Sequence, residues 1–290
     1  MSYENPSPNE ENADSGDGRL GKLLLDAGKL HEQDIEMILR KQREEHLRFG
    51  EAALRLGLIQ EPDLLQALSR QFAFPCVPEG TDRFDPELVA AFRPFSPRGE
   101  SLRWLRSQLL LRWFGGHRKM LALVATEAGQ GCSWTAANLA VVFSQLGEKV
   151  LLIDADLRNP SLHRYFGLTG REGLSGILSG RRMFAEVGNT IEELGDLAIL
   201  TAGAPPPNPQ ELLARPVFSH LLESVAETFD VILLDTSPAL QGADAQIVAA
   251  NAGGAVLVTR RHLTRAQDAL RVKEQLLAAG AELVGAVLVS

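Results

Sequence analysis

Apolar positions along this chain follow two rhythms. Between 19 and 71 they recur at helical spacing: Ile35, Ile38 and Leu39, then Leu64, Leu65 and Leu68, each trace a stripe along one side of a helix. Beyond residue 100 the pattern changes to short apolar runs, LALVAT, KVLLID, DLAILTA, DVILLD, GAVLVT and ELVGAVLV, separated by amphipathic stretches at 133–146, 209–228, 241–251 and 264–279. Buried strands alternating with helices predict an α/β unit, a mostly parallel sheet with helices on both faces. Just before the first run, ESLRWLRSQLLLRW is helical in period.

The earlier rhythm is a tandem repeat. Aligning 19–42 with 48–71 pairs Arg19 with Arg48, Gly21 with Gly50, Leu25 with Leu54, Gly28 with Gly57, Glu32 with Glu61, Asp34 with Asp63 and Gln42 with Gln71. Each copy reads as a short helix closed by a glycine and a second helix starting near His31-Glu32 or Glu61-Pro62. Two such hairpins bury their stripes against each other, so the α/β unit is preceded by a small all-α tandem-repeat domain. The expected division is a disordered, polar and acidic tail (1–18), the helical domain (19–78), a linker rich in Pro, Gly and charge (79–98) in which FDPELVAAF forms one short helix, and the α/β domain (99–290).

Composition narrows the functional classes. With 290 residues and 45% hydrophobic content, the chain is long enough for one substantial core and a smaller module. A formal charge of -8 gives no overall basic field for a phosphate backbone, so no nucleic-acid partner is expected. The two cysteines, Cys76 and Cys132, have no metal-ligand partner at a recognisable spacing. The start carries no secretory signal and no apolar run reaches the roughly 20 residues that span a bilayer, so a cytoplasmic protein is expected, with membrane contact only through a partner.

Candidate chemistry gathers at the ends of the strand-like runs. Thr126-Glu127-Ala128-Gly129-Gln130-Gly131-Cys132-Ser133 has the length and placement of a phosphate loop, in which glycines turn backbone N–H groups toward an anion at a helix N-terminus. Gly129, Gly131 and Ser133 fit, whereas Cys132 stands where a phosphate-binding lysine is expected and Thr126 where the first glycine is. Taken alone, the loop reads better as a tight strand-to-helix turn. LLIDADLR, however, brings Asp154 and Asp156 to a strand end with Arg158 two positions on, and VILLDTSP does the same for Asp235. In a parallel sheet all these ends share one edge, so the carboxylates and Ser133 can converge on a metal held by phosphates.

In that order and context, Ser133, Asp154, Asp156, Arg158 and Asp235 resemble the bacterial tyrosine autokinases of exopolysaccharide synthesis, a branch of the P-loop ATPases that also holds the MinD and ParA partitioning proteins. GAPPPNPQELL (203–213) is similar to the family's proline-asparagine segment. Glu100, Arg103 and Arg106 reproduce its E-x2-R-x2-R element, which in the family packs against a neighbouring subunit's active site. The likeness covers about 99–290 and is nearest to the EpsG-type chain-length kinases.

The resemblance implies a P-loop NTPase-like fold and transfer of the ATP γ-phosphoryl group to a tyrosine hydroxyl, with ATP and Mg2+ as cofactors. Gly129, Gln130, Gly131, Cys132, Ser133 and Trp134 would bind nucleotide. Ser133, Asp156 and Asp235 would hold magnesium, Asp154 would orient or deprotonate the tyrosine, and Arg158 would counter developing charge. It also implies a homo-oligomer recruited to the inner membrane face by a Wzz-type chain-length determinant. The neutral thiol of Cys132 leaves open a second reading, a pseudokinase that binds nucleotide and regulates that partner, and a partitioning-type ATPase stands third. The family's C-terminal tyrosine cluster is missing; only Tyr3, in the tail, and Tyr165, read as structural, are present.

The tandem repeat is similar to the N-terminal domain of type II secretion and pilus-assembly ATPases, whose two R-L-G-led motifs are separated by a spacer like 43–47. In some members it binds cyclic-di-GMP. Carried over, the candidates are Arg19, Gly21, Gly28, Gln42, Arg48, Gly50, Gly57 and Gln71, although Lys29 stands where an apolar residue is expected, Phe49 replaces leucine and Ala53 is small. A docking module whose glycines only cap helices is the equal alternative.

Overall fold

The computed structural model describes residues 16–71, 74–78 and 80–290. These form two compact units, the first ending at Gly80 and the second beginning at Thr81.

The first unit is helical: α1 (Gly16–Asp26), α2 (Glu32–Glu45), α3 (Phe49–Arg55) and α4 (Glu61–Gln71). The helix α1 starts at Gly16, so the end of the stretch expected as a tail (1–18) is helical; positions 1–15 lie outside the described residues. The two copies repeat in detail. Gly28 and Gly57 have φ of +66° and +68°, and each hairpin begins its second helix with a carboxylate three residues on, Asp34 accepting from the His31 N–H at 2.7 Å and Asp63 from the Gln60 N–H at 3.0 Å. Leu20, Leu24, Leu30, Ile38, Phe49, Ala52, Ala53, Ile59 and Ala67 form the core. Phe49 and Ala53, the positions departing from the secretion-ATPase pattern, fill it, and Lys29 crosses between copies to Asp63 at 2.7 Å.

The second unit runs α5 (Val89–Phe92), α6 (Pro97–Arg112), β1 (Met120–Ala125), α7 (Cys132–Ser144), β2 (Val150–Asp154), α8 (Leu162–Tyr165), α9 (Leu174–Leu178), α10 (Phe184–Val187), β3 (Gly188–Thr190), β4 (Leu197–Leu200), α11 (Pro209–Leu213), α12 (Pro216–Ala226), β5 (Val231–Asp235), α13 (Asp244–Ala252), β6 (Gly254–Arg260), α14 (Ala266–Ala278) and β7 (Glu282–Val289). Its sheet has the order β3-β4-β2-β5-β1-β6-β7, parallel except for β3. All six apolar runs are strands. β1, β2, β4 and β5 are buried almost throughout, as strands covered on both faces must be. The amphipathic stretch 209–228 divides in two because Pro216 opens a new helix directly after Arg215.

The segment expected as a linker (79–98) is folded into this unit from Thr81 onward. Val89, Ala90 and Ala91 are buried, and Asn138 on α7 holds them: its Oδ1 accepts from the Ala90 N–H at 2.9 Å and its Nδ2 donates to the Glu87 carbonyl at 3.1 Å. The short helix expected in FDPELVAAF is α5, and what the polar composition of the segment concealed is its burial.

Candidate active site

The order of strands decides what meets. β1 lies between β5 and β6, and β2 lies beyond β5, so the loop after β1 shares one sheet edge with the ends of β2, β5 and β6. Ligands of open α/β sheets bind at that edge.

The loop is held by its own residues. Gln130 is buried, and its Oε1 accepts from the Thr126 N–H at 3.1 Å and from the Thr126 hydroxyl at 3.0 Å. Gly129 and Gly131 have φ of +77° and +89°, which a side chain would strain, and Gly131 caps α7. The first-turn N–H groups of α7, at Cys132, Ser133 and Trp134, have no intrahelical acceptor, and these three residues line the space beside the loop. A cavity of about 810 Å3 opens there, lined among others by Gly131, Cys132, Ser133, Asp156 and Arg260.

The carboxylates are arranged in depth. Asp154 and Asp235 stand directly opposite each other in the β2–β5 register, and both are fully buried. Asp156 is buried too but lines the cavity, with Oδ1 accepting from the N–H groups of Arg158 and Asn159 at 3.1 and 3.0 Å. Asp154 is sealed off from it: Oδ1 accepts from the Asp156 N–H at 3.2 Å, and Oδ2 from the Ser161 and Leu162 N–H groups at 3.1 and 3.0 Å. Expected to orient or deprotonate a tyrosine, Asp154 instead shapes the turn that presents Asp156.

Asp235 differs, because neither of its buried oxygens meets a hydrogen-bond partner. The Ser133 hydroxyl and Cys132 thiol lean toward it closely enough to favour its ionised form without reaching hydrogen-bond geometry. Burial, and then Asp154, push its pKa well above the carboxylate range; burial raises Asp154 to about 7, against the backbone N–H groups that favour its charge. The Cys132 thiol is enclosed although the residue is partly exposed, and burial and Asp235 raise its pKa, so it stays neutral.

The cations sit otherwise than expected. Arg158 does not point free into the site: it grips Asp244 on α13, with Nε 3.0 Å from Oδ2 and Nη2 3.4 Å from Oδ1. Arg103 is bonded to Glu100 and the Pro94 carbonyl, and Arg106 donates to the Val142 carbonyl of α7 at 2.8 Å. The structure adds Arg260, at the end of β6, whose Nη1 donates to the Gly129 carbonyl at 2.8 Å. Trp134 lines the cavity and donates from Nε1 to the Glu87 carbonyl at 2.9 Å. Tyr165 also lines the cavity, its hydroxyl pushed up to about 12 by burial and by Asp85, Asp235 and Glu87.

A phosphate loop, a helix N-terminus and acidic strand ends on one sheet edge define a P-loop nucleotide-binding protein. The family model for the ATPase MipZ matches residues 119–260. The tyrosine-protein kinase YwqD of Bacillus subtilis is 36% identical over 206 residues, which are 71% of this chain and 86% of that relative's length. Among solved structures, the kinase domain of the Escherichia coli tyrosine kinase ETK superposes with a TM-score of 0.68 at 32% identity, covering 71% of this chain and 80% of that one. The septum site-determining protein MinD of Pyrococcus horikoshii, solved with Mg-ADP, gives 0.51 at 25%, covering 59% and 69%. The chain belongs to the bacterial tyrosine-protein kinases.

Proposed function

We propose that the second unit binds ATP with magnesium and transfers the γ-phosphoryl group to a protein tyrosine in exopolysaccharide synthesis and chain-length control. The observation that carries this reading is Asp235: a fully buried carboxylate with two unpartnered oxygens, beside a serine hydroxyl and an anion cradle, fits a hard cation on phosphate oxygens. Ser133 and Asp235 would hold magnesium, with Asp156 beside them at the cavity wall. Held there, the ion would supply positive charge to offset the negative charge that develops on the leaving oxygen.

The chain's own groups supply the rest. Loop and α7 N–H groups orient the phosphates, and Asp154 fixes the turn carrying Asp156. As the phenolic oxygen bonds to the γ-phosphorus, the bond from that phosphorus to the β–γ bridging oxygen breaks. ADP leaves, and the hydroxyl proton passes to Asp156, which faces the cavity. Arg158 secures the turn through Asp244.

Cys132 favours a second reading, in which nucleotide binds and transfer fails. A neutral thiol cannot replace a charge-assisted phosphate contact, a loss of roughly a few kcal/mol and so about a hundredfold or more in rate. Incubating the full chain with ATP-Mg and a tyrosine copolymer, then detecting phosphotyrosine, separates the readings: a kinase labels its acceptor and gains little from Cys132→Lys, whereas a pseudokinase is silent until that change.

The partners extend the proposal. No helix among the described residues is long and apolar enough to cross a membrane, which suits recruitment by a Wzz-type chain-length determinant. Trp104 and Leu111 on α6 are 66% and 82% exposed, which suits a second copy of this chain docking along the helix that carries Glu100, Arg103 and Arg106. In the first unit, exposed Arg19 and Arg48 suit cyclic-di-GMP, with Gly21 and Gly50 packed against Phe49 and Leu64, Gly28 and Gly57 at the turns, and Gln42 and Gln71 near the helix ends.

A further inference from the structure

The phosphate loop lacks its own cation, since Cys132 is neutral, and Arg158, Arg103 and Arg106 are committed elsewhere in the fold. Arg260 is placed differently. It lines the cavity from the β6 side of β1, across the loop from the β2 and β5 carboxylates, and has no carboxylate within ion-pair distance among the described residues. Its backbone is rigidly held: its N–H donates to the Thr264 hydroxyl at 2.9 Å, and its carbonyl accepts from the Leu263 and Thr264 N–H groups. One guanidinium nitrogen is anchored to Gly129, leaving the rest of the fork to the cavity. Arg98 also lines the cavity, but of the two Arg260 is the one bonded to the loop.

Resting on the ATP-binding reading above, we infer that Arg260 is the loop's substitute cation, gripping the nucleotide's inner phosphates from the side opposite the magnesium ligands. That position matters. A lysine at 132 would sit on α7 beside Asp235 and reach the outer phosphates, whereas Arg260 is bonded to the body of the loop, whose N–H groups in such sites cradle the inner phosphates that ATP and ADP share. Its contribution is therefore to binding in both ground and transition states, lowering Kd and KM without raising kcat.

The test is isothermal titration of the full chain with ADP and ATP, in magnesium buffer at low and high salt, for wild type, Arg260→Gln and Arg260→Lys. Glutamine keeps a donor for the Gly129 carbonyl and removes the charge. Arg260→Gln is expected to weaken ADP and ATP alike, by about tenfold at low salt, and to flatten the salt dependence; Arg260→Lys recovers part of both. ADP affinity unchanged in Arg260→Gln overturns the inference, as does weakening with the wild-type salt dependence, because a loop-shaping role alone predicts the latter. A wild type that ignores both nucleotides at millimolar levels overturns the functional reading and this inference with it.

Discussion

Asp235 concentrates the tension between folding and function. A buried polar group without a partner costs about 1–3 kcal/mol, more when charged, and here two carboxylates, Asp154 and Asp235, face each other across paired strands. Asp235→Asn is therefore expected to abolish phosphoryl transfer while raising the stability of the nucleotide-free protein by about 1–2 kcal/mol in urea denaturation. The pH dependence follows from the same shifts. Both acids have folded pKa values above their unfolded ones, so between the ordinary carboxylate range and about 7 the folded state binds more protons, and stability falls as pH rises through that window. In magnesium-free buffer, the difference in unfolding free energy between variant and wild type should widen from pH 4.5 to pH 7.5. A constant difference would show that the pair titrates normally.

Among the elements, α7 ties the site to the fold. It starts at the phosphate loop, it is buried along nearly its whole length, and its Asn138 spans to the segment 87–90 while also donating to the Trp134 carbonyl at 3.0 Å. Asn138→Ala leaves the Ala90 N–H without its side-chain acceptor, while the Glu87 carbonyl keeps Trp134 Nε1 as a donor, which should cost about 1–2 kcal/mol, read as a lower urea midpoint. Because α5 contributes no ligand to the cavity, weakened nucleotide binding is expected only where the variant is partly unfolded, and a matched loss of affinity at low temperature would place α5 in the site itself.

Elements were legible from sequence in proportion to their apolar content. The runs that became β1, β2, β4 and β5 are continuous because both faces are covered, β7 is equally apolar although it lies half-exposed at the sheet edge, and β3, a Gly-Asn-Thr edge strand, offers no such signal. The site's carboxylates were legible as strand ends, but their division of labour was not. Only the turn after β2 shows that Asp154 is spent on backbone N–H groups, and only the fold brings Asp244 to Arg158 and the end of β6 to the phosphate loop.

At the scale of the whole molecule, the two units set two separate ligand questions for one chain of net charge -8. Nucleotide at a hundredfold excess over its Kd stabilises the state that binds it by about 2.7 kcal/mol, which slows hydrogen exchange through unfolding of that unit by roughly a hundredfold. Mg-ATP should therefore protect 126–134, 154–162 and 235–240 most strongly, where the loop, the β2 turn and the β5 end converge. Cyclic-di-GMP should protect the amides around Gly28 and Gly57, at the matching turns of the two repeats. Mass spectrometry of exchange in the full chain reads both at once. Protection of 16–71 by Mg-ATP alone would assign the nucleotide to the wrong unit here, and no protection of 16–71 by cyclic-di-GMP would leave the glycines at 28 and 57 as helix caps, with the first unit serving to dock a protein.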